Sequence, residues 1–345
     1  MKRQHNDSLG LQKPAEYNGE LTGWQAVNLA LNRSLAADPG VFILGEDVGL
    51  YGGSYRCTQG LYGQYGEWRV RDAPISEGGF TGLGVGAALA GARPVIEIMT
   101  INFALLALDA IVNMAAKLRY MSGGQFSVPL VVRTPGGVAK QLAAQHSQRL
   151  EHTLMNVPGL RLVVPGSVQD MYSQLRQAIL HDDPIIVLEH ELMYFEKGPF
   201  KDQHDELPLH AARVCREGKD ITLVAWSHMV AVCLAAADRL AQDNIDVEVI
   251  DLRSLRPIDL PCIQHSVKKT HKAMVVEEDC RFAGAGAEIV AELQERSFFD
   301  LDGPVTRVAA ADVPTPYNAE LERQSIPSVD SVIQAVRSQC LTTPA

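Results

Sequence analysis

Five residues stand where a sheet of parallel strands would present ligand-binding groups. Glu46 follows the apolar run Val41-Phe42-Ile43-Leu44, and Glu77 follows a short strand at 69–71 through a turn containing Pro74. Phe103 comes after a strand ending at Met99, His146 lies in the long loop after Arg133, and Glu189 ends a strand of its own. Parallel open sheets bind ligands beyond the carboxyl ends of their strands. Carboxylates, an aromatic ring and an imidazole gathered at one rim suit proton transfer on an aromatic ring system. Each has a structural alternative: Glu46 as a loop cap, Glu77 as an acid on a helix dipole, Phe103 as core. His146 is the hardest to explain by packing, because Ala144-Gln145-His146-Ser147-Gln148 is polar loop.

The elements that would hold these residues alternate strand and helix. Thr22 and Gln25 form a capping-box pair, and Trp24, Val27, Leu31 and Leu35 fall on one face, predicting a helix from Thr22 to Ala37. Pro94–Met99, Pro129–Arg133, Leu160–Val164 and Ile185–Glu189 read as buried strands, with helices at Ala104–Tyr120 and Val168–Leu180. A second series runs through strands at Ile221–Ala225, Val247–Ile250, Ala273–Glu277 and Val305–Val308. Its helices are His228–Ala241, Gly284–Arg296 and Val329–Ser338. The expected fold class is therefore α/β, with two three-layer parallel-sheet domains. The expected divisions are a flexible arm over 1–20, a first domain over 21–197, a linker over 198–218 and a second domain over 219–340.

Two glycine patterns invite a nucleotide-binding reading. Gly82-Leu83-Gly84-Val85-Gly86-Ala87 has dinucleotide spacing but sits within a small-residue helix, and Glu97 lies inside the next strand, so it reads as helix–sheet packing. Gly284-Ala285-Gly286 lacks the third small residue. His181-Asp182-Asp183 reads as a solvated turn, and no nucleophile elbow supports hydrolase chemistry.

Composition narrows the classes further. The chain has 345 residues, 31 basic against 41 acidic, for a net charge of −10 with neutral histidines. No basic stripe points to nucleic acid. The six cysteines are scattered, which suits reduced thiols in a cytoplasmic compartment. The apolar stretch Ile101–Val112 is too short to span a membrane, and the polar start has no apolar targeting core.

Taken in order, the motifs are recognisable: Gly45-Glu46-Asp47-Val48-Gly49, Pro74-Ile75-Ser76-Glu77-Gly78-Gly79-Phe80, Tyr120-Met121-Ser122-Gly123-Gly124, Ala144-Gln145-His146-Ser147-Gln148, Asp251-Leu252-Arg253-Ser254-Leu255-Arg256-Pro257 and Asp312-Val313-Pro314-Thr315-Pro316-Tyr317. From about Thr22 to Ser338 the chain resembles the beta subunit of the thiamine-diphosphate-dependent decarboxylating component of 2-oxo acid dehydrogenase complexes. The resemblance implies a pyrimidine-binding domain followed by a transketolase-type C-terminal domain. It implies that Glu77 hydrogen-bonds N1′ of the coenzyme's aminopyrimidine, favouring the imino tautomer that deprotonates the thiazolium carbon. It places Phe103 and Ile75 against that ring and Glu46 in the same hydrogen-bonded network. It makes His146 an active-site histidine of decarboxylation and reductive acylation of a lipoyl group.

One motif is missing. Thiamine enzymes anchor Mg²⁺ through Gly-Asp-Gly and a later Asn, and this chain has no Gly-Asp dipeptide. The resemblance therefore implies that an alpha subunit holds the diphosphate and Mg²⁺ in an alpha2-beta2 heterotetramer. It further implies docking to a lipoyl-bearing dihydrolipoyl acyltransferase core, no membrane or nucleic-acid partner, and K⁺ on backbone oxygens of Leu130, Ala178, Ile179, His181 and Asp183.

Pyruvate is the favoured substrate. Ala144-Gln145 stands where branched-chain relatives usually have His-Tyr, and Thr100-Ile101-Asn102-Phe103 is an arrangement they lack. Acetoin and branched-chain dehydrogenase beta subunits are the alternatives. Outside this class stand a non-catalytic α/β nucleotide-binding module and a scaffold subunit.

Overall fold

The computed structural model describes residues 18–138, 141–202 and 207–341. The arm expected over 1–20 lies outside the described residues up to 17, while 18–20 belong to a strand. The strands in chain order are β1 (Asn18–Thr22), β2 (Val41–Gly45), β3 (Val70–Asp72), β4 (Arg93–Glu97), β5 (Val131–Gly136), β6 (Arg161–Val163), β7 (Ile185–His190), β8 (Lys197–Lys201), β9 (Arg213–Arg216), β10 (Ile221–Ala225), β11 (Val247–Asp251), β12 (Ser254–Arg256), β13 (Ala273–Cys280) and β14 (Thr306–Ala310).

Seven of these make the first sheet, in the order β12-β6-β7-β5-β4-β2-β3, parallel except for β12. The helices Gly23–Ala37 and Val168–Leu180 cover one face, burying Val27, Leu31, Leu35, Met171 and Leu175 against Val41, Ile43 and Val95. The capping box forms as expected, with Gln25 Oε1 accepting from the Thr22 backbone at 2.9 Å. On the other face the helix Glu77–Leu89 lies close to the sheet. A Cβ at Gly84 would stand 2.7 Å from Ile96 Cδ1, so the glycine run serves helix–sheet packing.

The second sheet runs β14-β13-β10-β11-β9, parallel except for β9. The helices Met229–Leu240 and Val329–Leu341 pack on one face. Its other face merges with the first domain: Val224, Trp226, Ile250 and Val275 share a core with Ile96, Ile186 and Leu188. Area removed from water at about 25 cal/mol per Å² therefore couples the two domains.

Several expectations need correction. The stretch 198–218 is not simply a linker. β8 pairs antiparallel with β1, and β9 becomes the edge of the second sheet. The two domains also interlock, because β12 leaves the second series to extend the first sheet beside β6. The helix Leu260–Thr270 escaped the sequence reading; it starts at Asp259, whose side chain accepts from Cys262 N, with Pro261 in its first turn. The helix Ala319–Ser325 escaped it too. The helix expected at Ala104–Tyr120 is broken into a turn at Ile101–Ala104, a tighter turn, a widened turn at Asp109–Ala115 and a final helix at Ala116–Met121. No single helix among the described residues is long and apolar enough to cross a membrane.

The nucleotide-binding alternative loses ground here. The N-terminus of Ala285–Arg296 is occupied by the chain's own Glu277, whose carboxylate accepts from Gly286 N at 2.8 Å.

Candidate active site

Glu77 is the first residue of the helix Glu77–Leu89 and is 4% exposed. The helix dipole favours a negative charge there, yet its carboxyl group makes no hydrogen bond to another described residue. Across from it stands Glu46, just beyond β2. Burial first, then the facing Glu77 and the neighbouring Asp47, raise the Glu46 carboxyl above its ordinary range. Glu46 Oε1 is buried without a hydrogen-bond partner. A buried polar atom left unpaired costs about 1–3 kcal/mol. Glu46 thus keeps a buried acceptor unused beside the Glu77 carboxyl group at the rim.

Phe103 sits in the turn Ile101–Ala104, and the tighter turn that follows it lies against the first turn of the Glu77 helix: a Cβ at Gly78 would lie 2.9 Å from Leu106 O. The His146 loop is tied to the same segment. Asn102 Nδ2 donates to Gln148 Oε1 at 2.9 Å. The result is an edge-to-face pair of Phe103 and His146, ring centroids 5.4 Å apart at 82°. Ile75 is 86% exposed on the open side of the site, two residues before Glu77.

The structure thus brings Glu46 opposite Glu77 and Phe103 against His146, on loops at the carboxyl ends of one sheet. Glu189 does not join them. It is fully buried beneath the rim, accepting from Arg133 and from the Tyr194 hydroxyl. Arg133, also buried, bridges Glu189 to Glu97. The sequence reading missed Arg133, Asn102, Gln148 and Glu322. Glu322 reaches from the second domain to accept from Gln141 N at 2.9 Å, fastening the His146 loop. No local pattern marks such cross-chain partners.

Four of the five backbone oxygens expected to bind K⁺ already accept a hydrogen bond from the chain. Arg93 Nη1 donates to the carbonyls of Ile179 (3.1 Å) and His181 (3.0 Å). The Leu130 and Ala178 carbonyls accept from Ile185 N and His181 N, and the Asp183 side chain pairs with Arg119 and Arg161.

The residues present suit the aminopyrimidine half of a thiamine coenzyme: Glu77 and Glu46 would offer acceptors to its nitrogens, and Phe103 an aromatic wall to its ring. Residues 20–196 match the transketolase pyrimidine binding domain, and residues 210–332 match the transketolase C-terminal domain. Among solved structures, a split-gene transketolase described as an inactive beta4 tetramer superposes with a TM-score of 0.74 at 20% identity. The match covers 93% of this chain and 98% of that one, a likeness of fold. The fold and site therefore define a transketolase-type protein with pyrimidine-binding and C-terminal domains.

Curated relatives narrow the class. The rice (Oryza sativa subsp. japonica) protein named mitochondrial pyruvate dehydrogenase E1 component subunit beta-2 is 48% identical over 325 residues, covering 93% of this chain and 86% of its own. The subunit beta of Rickettsia felis is 44% identical over 321 residues, covering 93% and 98%. The chain belongs to the family of pyruvate dehydrogenase E1 component beta subunits.

Proposed function

We propose that this chain supplies the pyrimidine-binding half of a pyruvate-decarboxylating active site. Bound thiamine diphosphate would provide the electron sink for oxidative decarboxylation and acyl transfer to a lipoyl group, the route to acetyl-CoA. The chain's own residues do the rest. Glu77 holds a proton at N1′ of the pyrimidine, and Glu46, kept from ionising freely by burial and by Glu77, serves as its neighbour in the proton network. Phe103 and Ile75 flank the ring, and His146 faces the reacting groups. Phe103 restricts that imidazole to one edge-on orientation. Water exclusion comes from the buried rim around Glu77.

The observation that carries this reading is the half-buried Glu46, with one buried oxygen left unpaired, beside the buried Glu77 at the sheet rim. The chain lacks the Mg²⁺ motif, so an alpha subunit supplies the diphosphate half, and the assembly is an alpha2-beta2 heterotetramer docked on a lipoyl-bearing acyltransferase core. Exposed Leu50, Tyr51, Ile75, Leu83, Leu105 and Leu106, near the site in sequence, suit that alpha contact. Mg²⁺ belongs to the alpha subunit, and no role is assigned to K⁺. A cytoplasmic location accompanies the reading; the rice relative is named mitochondrial, and that of Rickettsia felis carries no compartment in its name.

The test is reconstitution with candidate alpha subunits, assayed with pyruvate, acetoin and branched-chain 2-oxo acids and an artificial electron acceptor. Pyruvate turnover that needs both chains is expected. Full activity from this chain alone, or selective turnover of another substrate, rejects the reading.

A further inference from the structure

His146 stands on a loop whose backbone is held where L residues rarely go. Gln141 and Ala143 both have φ +64°, and Ala143 pairs that with ψ −174°, a combination left almost entirely to glycine. Such a conformation persists only where its surroundings impose it. Burial does not impose it here, because Gln141 is exposed and Leu142 is 42% exposed. We propose that Glu322 of the second domain is a positioning residue for His146, holding the corner Gln141–Ala143 so that the imidazole is presented beside Phe103. This role rests on the reading of His146 as the active-site histidine.

Glu322 is suited to that task. It is 6% exposed, and both its oxygens accept from Gln141 N, at 2.9 and 3.2 Å. Hydrogen bonds to an ionised carboxylate are stronger than those between neutral groups. Gln141 Nε2 donates to Tyr317 O at 3.2 Å, so the second domain holds this residue by main chain and side chain together. The turn Ala144–His146 follows Ala143 directly, and His146 N donates to Ala143 O at 3.1 Å. The corner and the histidine therefore share one turn.

The grip is itself anchored. Glu322 lies in the helix Ala319–Ser325, whose Asn318 cap accepts from Glu320 N and Leu321 N at 3.0 and 3.2 Å. At the other end Ser325 O accepts from Ala311 N at 2.9 Å, joining the helix to the end of β14. Further second-domain contacts flank the corner. Glu278 Oε1 accepts from Val138 N at 2.6 Å, Thr315 Oγ1 donates to Ser147 O at 3.5 Å, and His152 Nδ1 lies 2.7 Å from Asp279 Oδ2.

Among these contacts Glu322 acts on the corner itself. The angle φ of Gln141 is rotation about its N–Cα bond. Glu322 fixes the N–H end of that bond and Tyr317 O fixes the side-chain end, so together they set the angle. Without Glu322 the corner relaxes toward ordinary φ, and the imidazole leaves its edge-on place against Phe103. A misplacement of about 1 Å in a reacting group costs on the order of a hundredfold in rate.

The full-length parent chain, Glu322→Ala and Glu322→Gln are compared by amide hydrogen exchange and, reconstituted with an alpha subunit, by pyruvate turnover. Glu322→Ala should speed exchange across 141–150 by about tenfold or more, with the rest of the chain and the unfolding temperature near the parent's. Its kcat should fall about tenfold to a hundredfold, with KM for pyruvate and coenzyme affinity little changed. Glu322→Gln keeps an oxygen acceptor for Gln141 N and should restore both. Glu322→Asp, one methylene shorter, should fall between them and serves where Glu322→Ala does not fold. Unchanged exchange in this segment overturns the proposal. So does a kcat equal to the parent's, or a loss that Glu322→Gln shares in full. Exchange that rises throughout the chain with a lowered unfolding temperature overturns it too, as the mark of a merely structural role. Exchange is read without catalysis, so a parent assembly that turns over no pyruvate rejects the proposed function while the exchange result still decides what Glu322 holds.

Discussion

The ring of Phe103 meets the imidazole of His146 edge-on, 5.4 Å between centroids, because Asn102 and Gln148 tie their two loops together. Two segments 43 residues apart by numbering, 103 and 146, thus act as one wall of the site. Phe103→Ala removes the ring that fixes the imidazole. Edge-to-face pairs contribute about 0.5–1.5 kcal/mol beyond burial. Coenzyme affinity measured in the reconstituted assembly should fall by roughly tenfold. Unchanged affinity would show that this ring does not face the coenzyme.

Glu77→Gln keeps the shape and a hydrogen bond but cannot exchange a proton. Positioned acid–base groups contribute roughly 10²–10⁴ in rate. Turnover should drop by that order while size-exclusion chromatography shows the same assembly. Near-normal turnover would falsify the role assigned to Glu77.

Arg133 is buried between Glu97 and Glu189. Breaking a buried ion pair by removing one partner costs about 3–5 kcal/mol. Arg133→Met should lower stability by that amount in urea unfolding, since two carboxyl groups then lose their counter-charge. Pairing Arg133→Met with Glu189→Met should recover part of the loss. A single-variant cost below about 1 kcal/mol is incompatible with this bridge.

Burial, set against a hydrogen bond from Tyr55, pushes the Glu191 carboxyl from 4.5 up to about 7. The folded state therefore keeps this proton after the unfolded chain has released it. The stabilisation is complete below 4.5 and is lost as pH rises through about 7. Glu191→Gln removes that loss. Its stability relative to the parent chain should grow between those pH values, as read from unfolding midpoints; a parallel pair of pH profiles contradicts the shift.

Much of the fold was legible because its signals are local. The helix Val168–Leu180 matches the sequence reading residue for residue, since Ser167 caps it and its apolar face is periodic. The antiparallel strands β8, β9 and β12 were not legible. They are short, and β9 and β12 exist because an existing sheet offers an unpaired edge. The helix expected at Ala104–Tyr120 is interrupted between Leu105 and Ala115, which its apolar periodicity did not signal. Of the candidate residues, Glu46, Glu77, Phe103 and His146 lie at the rim as expected, whereas Glu189 faces inward to Arg133.

By itself the sequence determined the alternation of strand and helix, the family, and which residues stand at strand ends, because periodicity and motif spacing are properties of neighbours along the chain. Only the tertiary structure decided which of those residues confront one another. The opposition of Glu46 and Glu77, the burial of Arg133 and the reach of Glu322 to Gln141 depend on how strands are ordered across sheets and how two domains share a core. Those contacts join distant positions, and no short stretch of sequence carries them.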